Sequence, residues 1–148
     1  MNKSSIRKRI IKLRKKNYSK NLIINPIKLF KFLKKKKIKK KIIGGYYPFN
    51  NELDIMNILE MFEKKKFILS LPKITIDNKM NFFKWSTNDP LKINKYGIPE
   101  TTSNKKIYPN ILLIPLVGFD INLNRLGYGG GYYDRFLSRK GDKNKILK

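Results

Sequence analysis

Cysteine and histidine are both absent from the sequence. Without cysteine the chain can form no disulfide, no thiolate metal site and no thiol nucleophile. Without histidine it lacks the commonest general base and the commonest ligand of transition metals. No apolar run approaches the ~18 residues of a membrane span, and the basic N-terminus lacks the apolar core of a signal peptide. We therefore expect a soluble cytoplasmic protein with no membrane partner.

Acidic residues are scarce: 10 Asp and Glu stand against 35 Lys and Arg, which gives a net charge of +25. Such an excess is the usual electrostatic footprint of nucleic-acid binding. However, 29 of the basic residues are lysine, alanine and glutamine are absent, and lysines occur in every polar segment. This composition is typical of A+T-rich coding sequence. We therefore expect no specific nucleic-acid partner, and a basic nucleic-acid-associated protein remains an alternative.

The 148 residues are long enough for one domain with a hydrophobic core. We predict two basic helices in residues 1–40. Apolar residues recur at helical spacing over residues 3–17, and Asn25 followed by Pro26 is a typical start of a second helix. Residues 41–137 predict an α/β core, and residues 138–148 a basic tail.

Short apolar segments alternate with helical patterns through the core. We predict strands over residues 41–47, 66–73, 80–85 (an edge strand) and 111–117, and a long loop over residues 86–110. A helix capped by Asn50 and Asn51, with Glu52 in its first turn, is predicted from the apolar stripe Ile55, Ile58, Leu59 and Phe62. The alternation predicts an α/β fold with a largely parallel sheet.

A glycine loop, residues 125–134, lies between the last predicted strand and the helical pattern that starts at Tyr132. It contains Gly127, Gly129, Gly130 and Gly131. Glycines let backbone N–H groups point inward, and a helix N-terminus adds partial positive charge. Arg125 and Arg135 add full charges. The pattern favours binding of nucleotide phosphates, but a simple flexible turn is the alternative, because the spacing matches neither dinucleotide nor P-loop motifs.

The segment NRLGYGGGYYDR at residues 124–135, preceded by PLVGFD at residues 115–120, closely resembles the signature of the 5-formyltetrahydrofolate cyclo-ligases, also called methenyltetrahydrofolate synthetases. The resemblance extends over residues 3–137. It implies a three-layer α/β/α fold with a mainly parallel sheet, related to sugar-phosphate isomerases and CoA-transferases. It also implies ATP-dependent conversion of 5-formyltetrahydrofolate to 5,10-methenyltetrahydrofolate, with release of ADP and phosphate. A surface this cationic would suit polyglutamylated folates.

The resemblance assigns roles to individual residues. The residues that it implies for ATP are Lys3, Arg7, Arg125, Leu126, Gly127, Tyr128, Gly129, Gly130, Gly131, Tyr132 and Tyr133. Those that it implies for the folate are Tyr47, Glu52, Tyr128, Gly129, Gly130, Gly131 and Tyr132. Arg125 and Tyr132 are expected to act in phosphoryl transfer, and Asp134, a hard oxygen donor, to bind Mg²⁺. Asp120 is a weaker candidate that would otherwise orient the loop.

Structural explanations remain open for several of these residues. Lys3 and Arg7 would suit a solvated helix face, and Glu52 and Asp134 would each suit the first turn of a helix. The family also continues beyond residue 137 with a further strand and a later magnesium-binding Asp. We therefore expect the last elements to be missing, one sheet edge to be uncovered, and a monomer or weak homodimer. A non-catalytic nucleotide- or folate-binding remnant is the alternative to an active enzyme.

Overall fold

A computed structural model of the chain describes residues 2–18, 24–36, 38, 41–139 and 146–147. In chain order its elements are α1 (Lys3–Lys16), α2 (Pro26–Lys35), β1 (Ile42–Gly44), α3 (Met56–Lys64), β2 (Ile68–Ile74), β3 (Met80–Trp85), β4 (Leu91–Ile93), β5 (Pro99–Thr101), β6 (Lys106–Ile107), β7 (Ile111–Leu112), β8 (Gly118–Phe119), β9 (Arg125–Leu126) and α4 (Tyr132–Ser138). No helix among the described residues is long and apolar enough to cross a membrane.

The two N-terminal helices confirm the prediction from sequence. The Asn2 side chain accepts a hydrogen bond from the Ser5 N–H at 2.9 Å and caps α1. The Asn25 side chain accepts from the N–H groups of Ile27 and Lys28, and Pro26 is the first residue of α2. Both caps use a side-chain oxygen to satisfy N–H groups that have no partner inside the helix.

The main sheet has five strands in the order β6-β3-β2-β1-β7. Strand β1 pairs in parallel with β2 and with β7, whereas β3 pairs antiparallel with β2 and with β6. The expected α/β fold is confirmed, but among the described residues the parallel pairing covers only β2, β1 and β7 and a single bridge at Leu147. The reason is the connection between β2 and β3: only residues 75–79 join them, and a parallel crossover needs a dozen residues or more.

Helices cover both faces of this sheet. On one face α2 and α3 pack against the strands, with Ile43, Leu69 and Phe62 in the buried cluster. On the other face Phe136 of α4 packs against Phe82, with ring centroids 5.1 Å apart. The molecule therefore has the three layers, helix, sheet and helix, that the family resemblance implied.

Helix α3 begins later than the sequence pattern predicts. Asn50 and Asn51 adopt positive φ angles of 50° and 59° and form a turn instead of a helix cap. The first helical residue is Met56, whose N–H donates to the Asp54 side chain at 2.8 Å. Glu52 therefore lies outside the helix, and the interpretation of Glu52 as a first-turn acid is wrong. The predicted apolar stripe is nevertheless buried throughout, from Ile55 to Phe62.

The predicted strand over residues 111–117 is also shorter than expected. Only Ile111 and Leu112 pair with β1, and Pro115, which has no N–H, lies in the irregular segment that follows. The Val117 N–H then donates to the Leu126 carbonyl at 2.8 Å, at the start of a second pairing. Strands β8 and β9 form a hairpin separate from the main sheet, a pairing that the sequence pattern does not predict.

The predicted loop over residues 86–110 contains further strands. β4 and β5 form a hairpin whose turn includes Gly97 at a φ of 76°, and β6 pairs with β3 at the edge of the main sheet. Sequence periodicity missed these strands because each has only two or three residues. Residues 37, 39 and 40 of the lysine-rich connector lie outside the described part of the chain.

One edge of the sheet was expected to be uncovered; the edge at β7 has a backbone partner. Leu147 forms a parallel bridge with Ile111, and the Leu112 N–H donates to the Leu147 carbonyl at 2.8 Å. The Leu147 N–H in turn donates to the Asn110 carbonyl at 3.0 Å. The described part of the predicted basic tail therefore contributes to the edge of the sheet; residues 140–145 and 148 lie outside the described residues.

Gly44 of β1 provides a test of the core. A Cβ at this position would lie 2.5 Å from Leu112 Cδ2 and 2.7 Å from the Phe82 ring. We predict that Gly44→Ala lowers the free energy of unfolding by about 1–3 kcal/mol, measured by urea denaturation, because overpacking strains a close-packed interior. In a Leu112→Ala background the same change should cost less. Equal stability of Gly44→Ala and the unaltered protein would contradict this packing.

Candidate active site

The glycine loop connects β9 to α4 in a conformation that requires glycine at several positions. Gly129 and Gly131 have φ angles of 105° and 66°, in the left-handed region that L side chains rarely adopt. A Cβ at Gly130 would lie 2.9 Å from the Tyr132 ring, and one at Gly131 would lie 2.7 Å from the Arg135 guanidinium. A side chain at any of these three positions would therefore strain the backbone or clash with a neighbouring side chain.

Several backbone donors of this loop are unused. Among the described residues, no acceptor receives a hydrogen bond from the N–H groups of Gly129, Gly130 or Gly131. Consecutive free N–H groups in such a turn form a concave surface that suits an anion. The loop therefore has the donors that the sequence analysis expected for phosphate.

Arg7 and the glycine loop lie together, 120 residues apart in sequence. Arg7 Nε donates to the Gly127 carbonyl at 2.8 Å, and its Cζ lies 3.5 Å from where a Cβ of Gly129 would be. The structure thus brings a cation of α1 to the loop as the sequence analysis expected. Lys3 lies one helical turn earlier on α1 and is exposed.

Arg125 and Arg135 flank the loop, and their side chains contact different partners. Arg125 forms an ion pair with Asp134, and its Cζ lies 5.9 Å from the centre of the Tyr133 ring. Arg135 stacks over the Tyr132 ring, with its Cζ 4.9 Å from the centroid. Leu126 pairs with Gly118 in the β8–β9 hairpin and so fixes the start of the loop.

Asp134 is accessible to a ligand, with 74% of its side chain exposed. Within the described ranges there is no group of three or more His, Cys, Asp or Glu residues that could hold a metal ion. Mg²⁺ bound with a nucleotide usually needs only one or two protein carboxylates, because phosphates and water complete its shell. Asp134 therefore fits as a single carboxylate ligand to such an ion, while its pairing with Arg125 accounts for its position without one.

Asp120 has a structural role in the turn of the β8–β9 hairpin. Its Oδ1 accepts from the N–H groups of Asn122 and Asn124 at 2.9 and 2.8 Å, and its Oδ2 accepts from the Asn124 side chain. The hydrogen bonds from the Asn124 side chain and from the backbone hold the Asp120 pKa below its usual value. Asp120 thus stabilises the turn of the β8–β9 hairpin.

Glu52 lies at the carboxyl end of β1, where ligands bind in open α/β sheets. Its Oε2 accepts from the Phe49 N–H at 3.0 Å, and the Tyr128 hydroxyl lies close enough to the carboxylate to lower its pKa. Burial raises the pKa of Glu52, and the Phe49 N–H, the Tyr128 hydroxyl and the charge of Arg14 partly offset this. Tyr47, half-buried, lies on the segment between β1 and Glu52.

Tyr128 joins the glycine loop to Glu52. Burial, together with the negative charge and hydrogen bond of Glu52, raises the pKa of Tyr128 to about 12. The phenol is therefore neutral over the physiological range and can donate a hydrogen bond to the carboxylate. The structure thus brings together a residue of the predicted ATP loop and the predicted folate-binding acid.

Sequence reasoning missed two residues that contact this cluster. Arg14 donates to the Tyr128 hydroxyl at 2.9 Å, and the Tyr46 hydroxyl donates to the Leu53 carbonyl at 2.9 Å beside Glu52. Arg14 could have been found, because it follows Arg7 by seven residues and so lies on the same face of α1. No spacing or motif in the sequence places Tyr46 near this site, because its buried position depends on the packing of β1.

Tyr133 has a fully buried hydroxyl with no hydrogen-bond partner among the described residues. Its ring lies against Phe82 in an edge arrangement, with centroids 6.5 Å apart. Burial, with a smaller contribution from Glu52, raises the pKa of Tyr133, so this group remains a neutral donor. A buried polar group without a partner costs stability, and such groups are frequent at functional sites.

Comparison with known proteins identifies the family of the chain. Residues 1–147 match the profile of the 5-formyltetrahydrofolate cyclo-ligase family. The chain belongs to this family. A 5-formyltetrahydrofolate cyclo-ligase from Haemophilus influenzae is 33% identical to this chain over 113 residues. The alignment covers 72% of this chain and 60% of the relative. One from Mycoplasma pneumoniae is 34% identical over 100 residues, 66% of this chain and 51% of the relative.

Two solved 5,10-methenyltetrahydrofolate synthetases have similar folds. The protein from Mycoplasma pneumoniae has a TM-score of 0.67 at 26% identity, and the match covers 97% of this chain and 82% of that protein. The Aquifex aeolicus protein has a TM-score of 0.71 at 28% identity, with 94% and 73% covered. The expected family and fold are therefore confirmed, while the chain spans half to three fifths of the length of the two relatives aligned by sequence.

Glu52 should lower the stability of the protein at neutral pH. Because its folded-state pKa is raised, its stabilising contribution is present below pH 4.5 and is lost as the pH rises through the folded value. We predict that Glu52→Gln raises the melting temperature at pH 7, on the order of 2 °C, and that the difference vanishes near pH 4.

Thermal unfolding followed by circular dichroism at both pH values measures this effect. Glu60→Gln, at an exposed position on α3, is the matched control and should not show it. A Glu52→Gln protein that melts lower than the unaltered protein by the same amount at both pH values would show that Glu52 has only a structural role.

Proposed function

We propose that this chain converts 5-formyltetrahydrofolate to 5,10-methenyltetrahydrofolate, with ATP giving ADP and phosphate. The observation that carries the proposal is the junction at Tyr128. There a glycine loop with free N–H groups and nearby arginines meets Glu52, a largely buried carboxylate at the carboxyl end of β1. An anion-binding loop beside a carboxylate suits a reaction in which a nucleotide and a folate must be bound next to each other.

The nucleotide phosphates are assigned to the glycine loop. Free N–H groups of Gly129, Gly130 and Gly131 would donate to phosphate oxygens, and Arg7 and Arg125 would neutralise their charge. Lys3, one turn from Arg7, extends the same cationic face. The hydrogen bond from Arg7 to Gly127 supports this assignment, because it anchors the loop and fixes a cation beside it.

The folate is assigned to the side of the loop that faces Glu52. Its carboxylate would accept hydrogen bonds from the N–H groups of the pterin ring, and Tyr47, Tyr128 and Tyr132 would border the ring system. Burial favours such an interaction, because a charge-assisted hydrogen bond is stronger away from water. A cationic surface with a net charge of +25 would also attract the acidic tails of polyglutamylated folates.

The chemistry requires mainly positioning and charge neutralisation. ATP transfers its phosphoryl group to the formyl oxygen and leaves as ADP, which turns that oxygen into a leaving group. The anilino nitrogen then attacks the formyl carbon, the C–O bond to phosphate breaks, and the proton of the anilino nitrogen leaves with the phosphate or to solvent. Arg125 and the loop N–H groups would hold the charge on the transferred group, and Tyr132 would border the reacting atoms. Asp134 would be the protein ligand of Mg²⁺ bound with the nucleotide. We place the activity in the cytoplasm, in a monomer or weak homodimer without a specific nucleic-acid partner.

A nucleotide- or folate-binding protein without turnover is the second candidate. The pairing of Asp134 with Arg125 favours it, because this ion pair occupies the carboxylate that is assigned to Mg²⁺. Turnover distinguishes the two candidates, because both retain ligand binding.

An absorbance assay tests the enzyme directly. Purified protein mixed with 5-formyltetrahydrofolate, Mg²⁺ and ATP should show ATP-dependent growth of the methenyl-folate band. We predict that Arg125→Ala lowers the rate about 100-fold or more, because a donor that stabilises developing charge is removed. Arg9→Ala, an exposed arginine of α1, is the control for loss of one charge. Folded protein that binds ATP but shows no band would favour the second candidate.

Nucleotide binding is tested separately at Gly130. A side chain there meets the Tyr132 ring, so we predict that Gly130→Val weakens ATP binding roughly tenfold or more, measured by calorimetry. Gly97→Asn is the matched control: a Cβ there has no neighbour closer than 4.0 Å, and asparagine tolerates a positive φ. Unchanged ATP affinity in Gly130→Val, with strongly salt-dependent RNA binding, would instead favour a nucleic-acid-associated protein.

A further inference from the structure

Arg14 of α1 makes hydrogen bonds in two directions. Its Nη1 donates to the Tyr128 hydroxyl at 2.9 Å, and its Nη2 donates to the carbonyls of Leu116 and Val117 at 2.7 and 2.6 Å. These partners lie more than 100 residues away in sequence. The guanidinium therefore connects α1 both to the segment that enters the β8–β9 hairpin and to the glycine loop that follows it.

Tyr128 extends this connection to Glu52. Its hydroxyl accepts from Arg14 and lies close to the Glu52 carboxylate, whose pKa it lowers. A single phenol thus links α1, the glycine loop and the segment after β1. The link depends on Arg14, because its two Nη groups reach Tyr128 and the two carbonyls from one planar fork. A lysine ammonium at the same position has no such fork.

We propose that Arg14 is a positioning residue for the folate side of the site: it holds Tyr128 and residues 116–117 so that Glu52 and Tyr128 meet the substrate in one fixed arrangement. The proposal rests on the proposed function. It differs from the phosphate-binding role given to Arg7, because the Arg14 contacts lead to Glu52 and not to the free N–H groups of the loop.

The proposed role of Arg14 can be measured through the pKa of Glu52, which depends on the groups around its carboxylate. The Phe49 N–H, the Tyr128 hydroxyl and the Arg14 guanidinium all favour the charged carboxylate, while burial opposes it. Tyr46 and Tyr133 also lie near Glu52 and are neutral phenols. Among the described residues, Arg14 is thus the cation that lowers the pKa of this carboxylate, and its removal should raise the pKa of Glu52.

The experiment compares Arg14→Gln with Arg9→Gln, which removes the same charge from an exposed position of the same helix. Arg14→Gln should raise the KM for 5-formyltetrahydrofolate about tenfold, as expected when a hydrogen bond from a charged group is lost. The KM for ATP should change much less. The acid limb of the kcat/KM profile should move to higher pH in Arg14→Gln but not in Arg9→Gln, and Arg14→Lys should restore the pH profile better than the KM.

A second readout does not depend on turnover. The pKa of Glu52 can be measured from the ¹³C resonance of its carboxyl group, assigned by its loss in Glu52→Gln. It should be higher in Arg14→Gln than in the unaltered protein and unchanged in Arg9→Gln. If the unaltered protein shows no turnover, the proposed function fails, and this titration still decides whether Arg14 acts on Glu52.

Tyr128→Phe covers the case in which Arg14→Gln does not fold. It removes only the hydroxyl that joins Arg14 to Glu52 and leaves the carbonyls of Leu116 and Val117 bonded to Arg14. It should raise the folate KM and the pKa of Glu52 in the same direction. The proposal is overturned if Arg14→Gln, or in its place Tyr128→Phe, leaves both quantities as they are in Arg9→Gln.

Discussion

The close approach of side chains to β1 is the constraint on which the rest of the structure depends. Gly44 leaves room for Leu112 and Phe82 on one face of the strand, and Gly45 leaves room for Leu59 on the other. Both hydrophobic clusters can therefore pack against an interior strand of only three residues. Because β1 is held from both faces, its carboxyl end is fixed, and the segment that leads to Glu52 starts from that end.

The site is held together by arginines that donate to backbone carbonyls and to a phenol. With 35 basic and 10 acidic residues, few carboxylates are available as partners. Arg7 and Arg14 instead fix the glycine loop and the segment before it through Gly127, Leu116 and Val117. The carboxylates are correspondingly valuable: Asp134 pairs with Arg125, and Glu52 is kept partly buried against its own preference for water. Such a cost is common where a residue is retained for function.

Membership in the cyclo-ligase family joins these observations into one interpretation. The structural match to the Mycoplasma pneumoniae synthetase covers 97% of this chain. Residues proposed for the nucleotide and for the folate both lie within this shared fold and meet at Tyr128. The contact of Leu147 with Ile111 further shows that the β7 edge is paired at this position. The geometry thus supports one site with two halves.

The sequence by itself determined the two capped N-terminal helices, the buried apolar stripe of α3 and the family, because caps, helical periodicity and the motif at residues 124–135 are local patterns. It did not predict the antiparallel half of the sheet or the short strands β4, β5 and β6, since pairs of two or three residues carry no usable periodicity. It also placed Glu52 in a helix that begins four residues later. Only the tertiary structure decided that Arg14, Tyr128 and Glu52 meet, because that contact depends on how α1, the glycine loop and the end of β1 pack together across more than 100 residues of chain.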